Sequence, residues 1–157
     1  MAGEIGRERA RASLLDRLVD LDPGSSAEAR PLRTLTATQL REAVRRDLEW
    51  LLNTRCPVPA HQLDPHHRTV IDYGVPDLLS LSPHNTGDHP RLATLLEQTI
   101  SAFEHRLRRV RVHVRQVRTT ALDLRIDAAL VIDRVTEPVA FAAVVAGQGE
   151  PVTVHAR

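Results

Sequence analysis

Lysine is missing from this chain, so arginine carries all 21 of its basic charges. We read that absence as compositional bias first, although arginine also suits bidentate contacts with other proteins. Against 20 acidic residues the formal net charge is only +1, which leaves no global field to draw the chain to nucleic acid or anionic lipid. Aromatics are four in all: Trp50, Tyr73, Phe103 and Phe141. Such a set offers little to line a sugar cleft. The single Cys56 excludes an internal disulfide and fits a reducing cytosol. No apolar run approaches the roughly 20 residues of a membrane span, and Met1 to Ala12 is charged where a signal peptide requires an apolar core. Membrane insertion is therefore not expected.

What remains is enough for one domain with a real core, at 157 residues. Residues 1–12, with Gly3, Gly6 and alternating charge, read as a flexible arm, and 13–157 as a single domain. Ser13 can cap a short helix over 13–21, where Leu14, Leu15, Leu18 and Leu21 share a stripe. Asp22-Pro23-Gly24 ends it, and a linker runs over 22–35. Three turns of helix need a surface to dock on, in this chain or in a partner. Thr36 and Gln39 have capping-box spacing, and Ala37, Leu40, Val44, Leu48, Leu51 and Leu52 keep a helical period as far as Asn53. Asn53, Thr54 and Arg55 close that helix; satisfying its last carbonyls and touching a partner are both open to them. Trp50 falls off the apolar stripe, as a second packing face or as an exposed anchor. Thr69 to Gly74 reads as a helical turn with Gly74 at its C-terminal cap.

A further helix opens at Asp88 with Pro90 in its first turn. Leu92, Leu95, Leu96, Thr99, Ile100 and Phe103 follow the 3.6-residue period. Beyond Phe103 the period drops to two: Val110, Val112 and Val114, then Leu122, Leu124, Ile126, Ala128 and Leu130. Pro138 to Ala146 is almost wholly apolar and reads as a strand covered on both faces, and Val152 with Val154 as a last short strand. The expected class is α+β: about three N-terminal helices, then a small antiparallel sheet of three to four strands.

The change of period falls on Phe103-Glu104-His105-Arg106-Leu107. In an extended segment Glu104 and Arg106 share a face and stand side by side toward something outside the chain. On a frayed helix end Glu104 would instead pair with Arg108 at i, i+4, worth a few tenths of a kcal/mol, roughly.

Four segments, in order, resemble the TssE family. Its members are type VI secretion baseplate subunits related to a small baseplate-wedge protein of contractile phage tails. The segments are Ser13-Leu14-Leu15-Asp16-Arg17-Leu18, Arg46-Asp47-Leu48-Glu49-Trp50-Leu51-Leu52-Asn53-Thr54-Arg55, Val70-Ile71-Asp72-Tyr73-Gly74-Val75-Pro76-Asp77-Leu78, and the junction itself, which is similar to the family's Phe-Glu-Pro-Arg-Leu motif. The resemblance implies a non-catalytic assembly role in the cytosol, without cofactor or metal. The implied partners are the TssF–TssG wedge, other baseplate subunits, and the sheath proteins TssB and TssC, whose interlocking strands it would help to seed. A phage tail or an extracellular contractile device is the neighbouring alternative; the Ser13 to Leu18 segment leans towards type VI secretion.

The motif's Glu and Arg fall on Glu104 and Arg106, and His105 stands where the family has proline. Proline would hold Glu104 extended, so here packing or the partner must do so. The residues expected to meet partners are Glu104, His105, Arg106, Asn53, Arg55 and Arg111. On that reading Glu104→Ala folds normally and fails to join the baseplate. Arg109, Arg111, His113 and Arg115 are charges that discourage promiscuous edge pairing; they select an acidic partner strand or simply form a solvated face. Phage relatives of the family have been labelled lysozymes, which makes Glu104 with Asp123 or Asp127 a conceivable glycosidase pair. Nothing in the sequence raises a carboxylate pKa for that purpose. His61, His66, His67, His84 and His89 lie in loops without metal-ligand spacing, and no phosphate loop or basic nucleic-acid stripe is present.

Overall fold

The computed structural model describes residues 10–13, 17–18, 24, 34–64, 67–77, 85–118, 121–146 and 151–156. Two α-helices stand among them, α1 over Ala37–Asn53 and α2 over His89–Phe103. The strands are β1 (Ala10–Arg11), β2 (Thr34–Leu35), β3 (Leu107–Val117), β4 (Ala121–Ile132), β5 (Val135–Ala146) and β6 (Thr153–Ala156). The last four form one antiparallel sheet in chain order, β3-β4-β5-β6. The expected α+β meander is present, with two helices in the described residues rather than three. Of the helix expected over 13–21, only Ser13, Arg17 and Leu18 are described; the Arg17 amide donates to the Ser13 carbonyl at 3.2 Å.

The segment read as a loose arm is partly engaged. Ala10 and Arg11 pair antiparallel with Leu35 and Thr34, and Ala10 is buried. Its small side chain and open backbone let it join the start of α1, although no alternation over so short a stretch marks a strand.

Capping and periodicity place the helices. The Thr36 hydroxyl accepts from the Gln39 amide at 3.3 Å while the Gln39 side chain accepts from the Thr36 amide at 3.0 Å, so two otherwise free donors at the start of α1 are satisfied. Leu40, Ala43, Val44, Leu48, Leu51 and Leu52 turn inward from α1, and Leu92, Leu96, Thr99 and Ile100 from α2. They meet Leu122, Leu124, Ile126, Leu130 and Ile132 of β4 with Phe141 and Ala143 of β5. Each large side chain so buried contributes about 1.5–3 kcal/mol. The apolar β5 is covered on one face only: Phe141 and Ala143 are buried, while Pro138 is exposed and Ala140, Ala142 and Val144 are partly so. Small side chains lying low on a pleat read as core in a sequence without needing a cover.

Polar ties then bind α1 to the far end of the sheet. Asn53 Nδ2 donates to the Val152 carbonyl at 2.8 Å and its Oδ1 accepts from the Val152 amide at 2.6 Å. Arg45 donates to the Val154 carbonyl at 3.0 Å, and Arg41 to Glu137 at 2.6 Å. The same Asn53 Nδ2 caps the Glu49 carbonyl and the Thr54 hydroxyl caps that of Trp50. Asn53 is thus committed to the fold, and of its two expected roles the structure displays the structural one.

Just past α1 the backbone meets a second segment. Cys56 donates to the Val75 carbonyl at 2.9 Å and Val75 to the Thr54 carbonyl at 2.8 Å, making a parallel bridge between Arg55 and Val75. Gly74 sits at the crossing with φ +112°, and a Cβ there would stand 2.5 Å from the Thr54 oxygen. Only glycine fits both the angle and the space. We therefore expect Gly74→Ala to lower unfolding free energy by about 2–4 kcal/mol in urea titrations. A loss below about 0.5 kcal/mol would show that the crossing relaxes freely.

Candidate functional site

The junction of α2 with β3 is a charge cluster built by local backbone geometry. α2 ends as Glu104 leaves the helical region (φ −106°, ψ 82°), its amide still donating to the Ile100 carbonyl at 2.8 Å. The chain turns through His105 and Arg106, and the Leu107 amide closes the turn on the Glu104 carbonyl at 3.1 Å. Glu104 Oε1 accepts from the Arg106 amide at 3.1 Å and from Arg106 Nε at 2.7 Å, and Oε2 accepts from Arg106 Nη2. Arg106 Nη2 also reaches Asp47 Oδ2 on α1 at 2.5 Å. The Arg106 carbonyl accepts from the Val131 amide of β4 at 2.8 Å.

This overturns the picture of two charges presented outward side by side. Glu104 is only 5% exposed, and it is turned onto Arg106 rather than toward Arg108 as on a frayed helix. With no proline at 105, the carboxylate holds the turn by gripping the Arg106 amide and guanidinium. Packing within the chain supplies the constraint. Burial pulls the Arg106 pKa down, but the hydrogen bonds and charge of Glu104, and then of Asp47, outweigh it and leave the group raised. Arg106 Nη1 is buried without an acceptor among the described residues.

Around this cluster lies an open hollow of about 400 Å³. Its lining draws on all four segments singled out in the sequence: Ser13; Asp47, Trp50 and Leu51; Tyr73; and Phe103 through Arg106. The Tyr73 and Phe103 rings meet edge to face, centroids 5.2 Å apart, and the Arg68 guanidinium lies over Phe103 at 5.2 Å. Trp50 remains 46% exposed with Arg46 over its ring at 4.8 Å. It stands at the rim, and no described helix covers it.

The other expected contact residues are spread out. His105 is exposed and borders both this hollow and a second one beside Arg111. Arg111 is exposed on β3, 3.4 Å from Glu97. Arg55 is exposed at the bridge to Val75, and Asn53 is turned onto Val152 just before the last strand. Asp47 was the omission. It lies three residues before Trp50, off the apolar stripe, so a shared polar helix face was the signal that could have found it.

The profile of the family described as "Baseplate wedge protein gp25" matches residues 38–135, well over half the chain. The chain belongs to the baseplate wedge protein gp25 family. A chain from a solved structure, "The baseplate complex from the type VI secretion system", superposes with a TM-score of 0.54 at 20% identity. The match covers 71% of this chain and 96% of that one, and it shows a shared fold. No curated protein sequence matches. The family's structural baseplate character agrees with the assembly role that the resemblance implied. Among the described residues no three His, Cys, Asp or Glu side chains come together, and no helix is long and apolar enough to cross a membrane. His66 and His84 lie outside the described residues.

Two outcomes follow from the cluster. Glu104→Ala strands a half-buried arginine whose remaining partner is Asp47, and it should cost about 2–3 kcal/mol of stability. Asp47→Ala should cost less, since Glu104 keeps its bonds to Arg106; equal losses would refute this ranking. Tyr73, the chain's one tyrosine, has its phenol pKa raised above the ordinary 10.0 by burial, then by the charges of Asp47 and Glu104. Its folded pKa exceeds the unfolded one, so its contribution is complete below about pH 10 and lost as pH climbs through the folded value. Absorbance titration near 295 nm should show that high midpoint, and Asp47→Asn should bring it down.

Proposed function

We propose that this protein is a non-catalytic structural subunit of a type VI secretion baseplate. It works in the cytosol, docks on the TssF–TssG wedge at the hollow beside Glu104 and Arg106, and helps to start the contractile sheath through strand pairing with TssB and TssC. The observation that carries the docking claim is convergence. Segments separated by up to 90 or so residues of chain line one open hollow with a polar floor and an exposed tryptophan at its rim. A half-exposed aromatic beside desolvated charge is the usual composition of an interface hot spot. The turn just before Tyr73 adds two bare apolar side chains, with Val70 90% and Ile71 73% exposed, and Leu18 on the N-terminal stripe is exposed as well.

On this reading the inward Glu104–Arg106–Asp47 cluster shapes the floor, while Trp50 and His105 touch the partner. A glycosidase role finds no support in the carboxylates. Glu104 is neutralised by Arg106, Asp123 is paired with Arg118 at 2.7 Å, and the Arg125 hydrogen bond holds Asp127 below the usual carboxylate range. A general acid requires the opposite shift.

The discriminating variants are those that leave the cluster whole. Trp50→Ala and His105→Ala should melt within a few degrees of the parent, and Trp50→Ala should lower co-purification with TssF–TssG by at least about tenfold. Retention of both variants at parental level would remove the hollow as the docking site.

A further inference from the structure

The four-stranded sheet has two outer edges, and they are closed in different ways. On one side β6 pairs only with Phe141–Val144, so the Val135–Ala140 stretch of β5, paired with β4 on its inner side, has no strand on its outer side among the described residues. Pro138 lies in the middle of that stretch, opposite Ala129 of β4. A proline survives in a ladder where its nitrogen faces away from the paired strand, so the donor it lacks is missing from the open side. That edge is interrupted by a covalent feature that no partner can displace.

On the other side β3 ends the sheet. The amide of Val112 turns away from β4 and donates to Glu97 Oε1 of α2 at 2.9 Å, while Glu97 Oε2 lies 3.4 Å from Arg111 Nη1. A side-chain oxygen thus occupies the place where a neighbouring strand's carbonyl would sit. Beside it, between α2 and β3, runs a trough of about 610 Å³ bordered by Arg68, Glu97, Ser101, His105, Val110 and Arg111. Three of those six are basic or able to become so, and one is acidic.

We infer that β3 is the strand-accepting edge of this sheet, with Glu97 as a removable latch on the Val112 amide, and that the incoming segment is a partner's extended strand alternating apolar with acidic residues. The alternation follows from the pleat. Neighbours of Val110 and Val112 fall on the buried face, whereas neighbours of Arg111 fall on the solvent face and meet positive charge. Once Glu97 swings off, a backbone carbonyl takes its bond at no loss of partner for the amide. The inference gives the strand-pairing part of the proposed function its edge, and it rests on that reading only for who supplies the strand.

A fluorescein-labelled nonapeptide alternating valine and glutamate, with an arginine-for-glutamate version as control, tests this on the full chain by anisotropy at low salt. The glutamate peptide should bind and shift the Val112 amide resonance. Glu97→Ala should tighten it by about tenfold, the worth of one charge-assisted bond to an amide. Arg111→Glu should weaken it, and Thr136→Pro on the β5 edge should leave it unchanged. Val112→Pro should abolish binding; if that variant does not fold, the resonance shift and Arg111→Glu decide. Equal binding of the arginine peptide, loss with Thr136→Pro instead, or no gain with Glu97→Ala because residues of the chain itself or a second copy fill the trough would each overturn the inference. TssB and TssC in the same assay separate the two claims: peptide binding as expected without capture of either leaves the edge standing and removes sheath seeding.

Discussion

A carboxylate taken out of water at a helix end must be neutralised on the spot, and Glu104 is neutralised by the arginine two residues on. That arginine also holds Asp47 of α1 and, through its backbone, β4. Four elements therefore meet at one arginine: the first helix, the end of the second, the opening of β3 and the end of β4. Buried ion pairs are poor instruments for stability, because desolvation consumes most of the Coulomb gain, but they are demanding about geometry. Any other register between α2 and β3 would leave a charge buried alone. The cluster thus selects the angle at which helix gives way to sheet, and the walls of the hollow follow from that angle.

In an assembly subunit this division of labour has a clear physical basis. Charges spent inside the chain cost nothing further when a partner arrives, since they are already desolvated and paired. What is left facing out around the hollow is aromatic and imidazole surface with few rotatable bonds, which loses little entropy on contact. The sheet follows the same principle with a different device, an edge whose donor is occupied until something better replaces it.

Much of this was legible in the residues. Helix limits, the capping box at Thr36, the change of period after Phe103 and the order of the strands came from local chemistry that tertiary structure did not override. The burial of Glu104 was not legible, because spacing gives the face a side chain shares and says nothing of how far that face is buried. Asp47 is 59 positions away from Arg106, and no periodicity links the two. Ala10 and Arg11 were missed for the same reason, since two residues carry no pattern. The Glu97 latch was equally invisible: a glutamate on the polar side of a helix reads as solvated until a strand edge is placed against it.

The ties of Asn53 and Arg45 to Val152 and Val154 bear on the order of events during synthesis. A ribosome delivers α1 about a hundred residues before the backbone that its polar face must grip. The meander of β3 to β6 pairs neighbours in sequence and can zip as it emerges, whereas the helix waits with its bonds to that backbone unmade. The nascent protein thus has an interval in which the sheet exists and its helical cover is not yet fastened. The fold of α1 against the sheet is fastened only when β6 arrives.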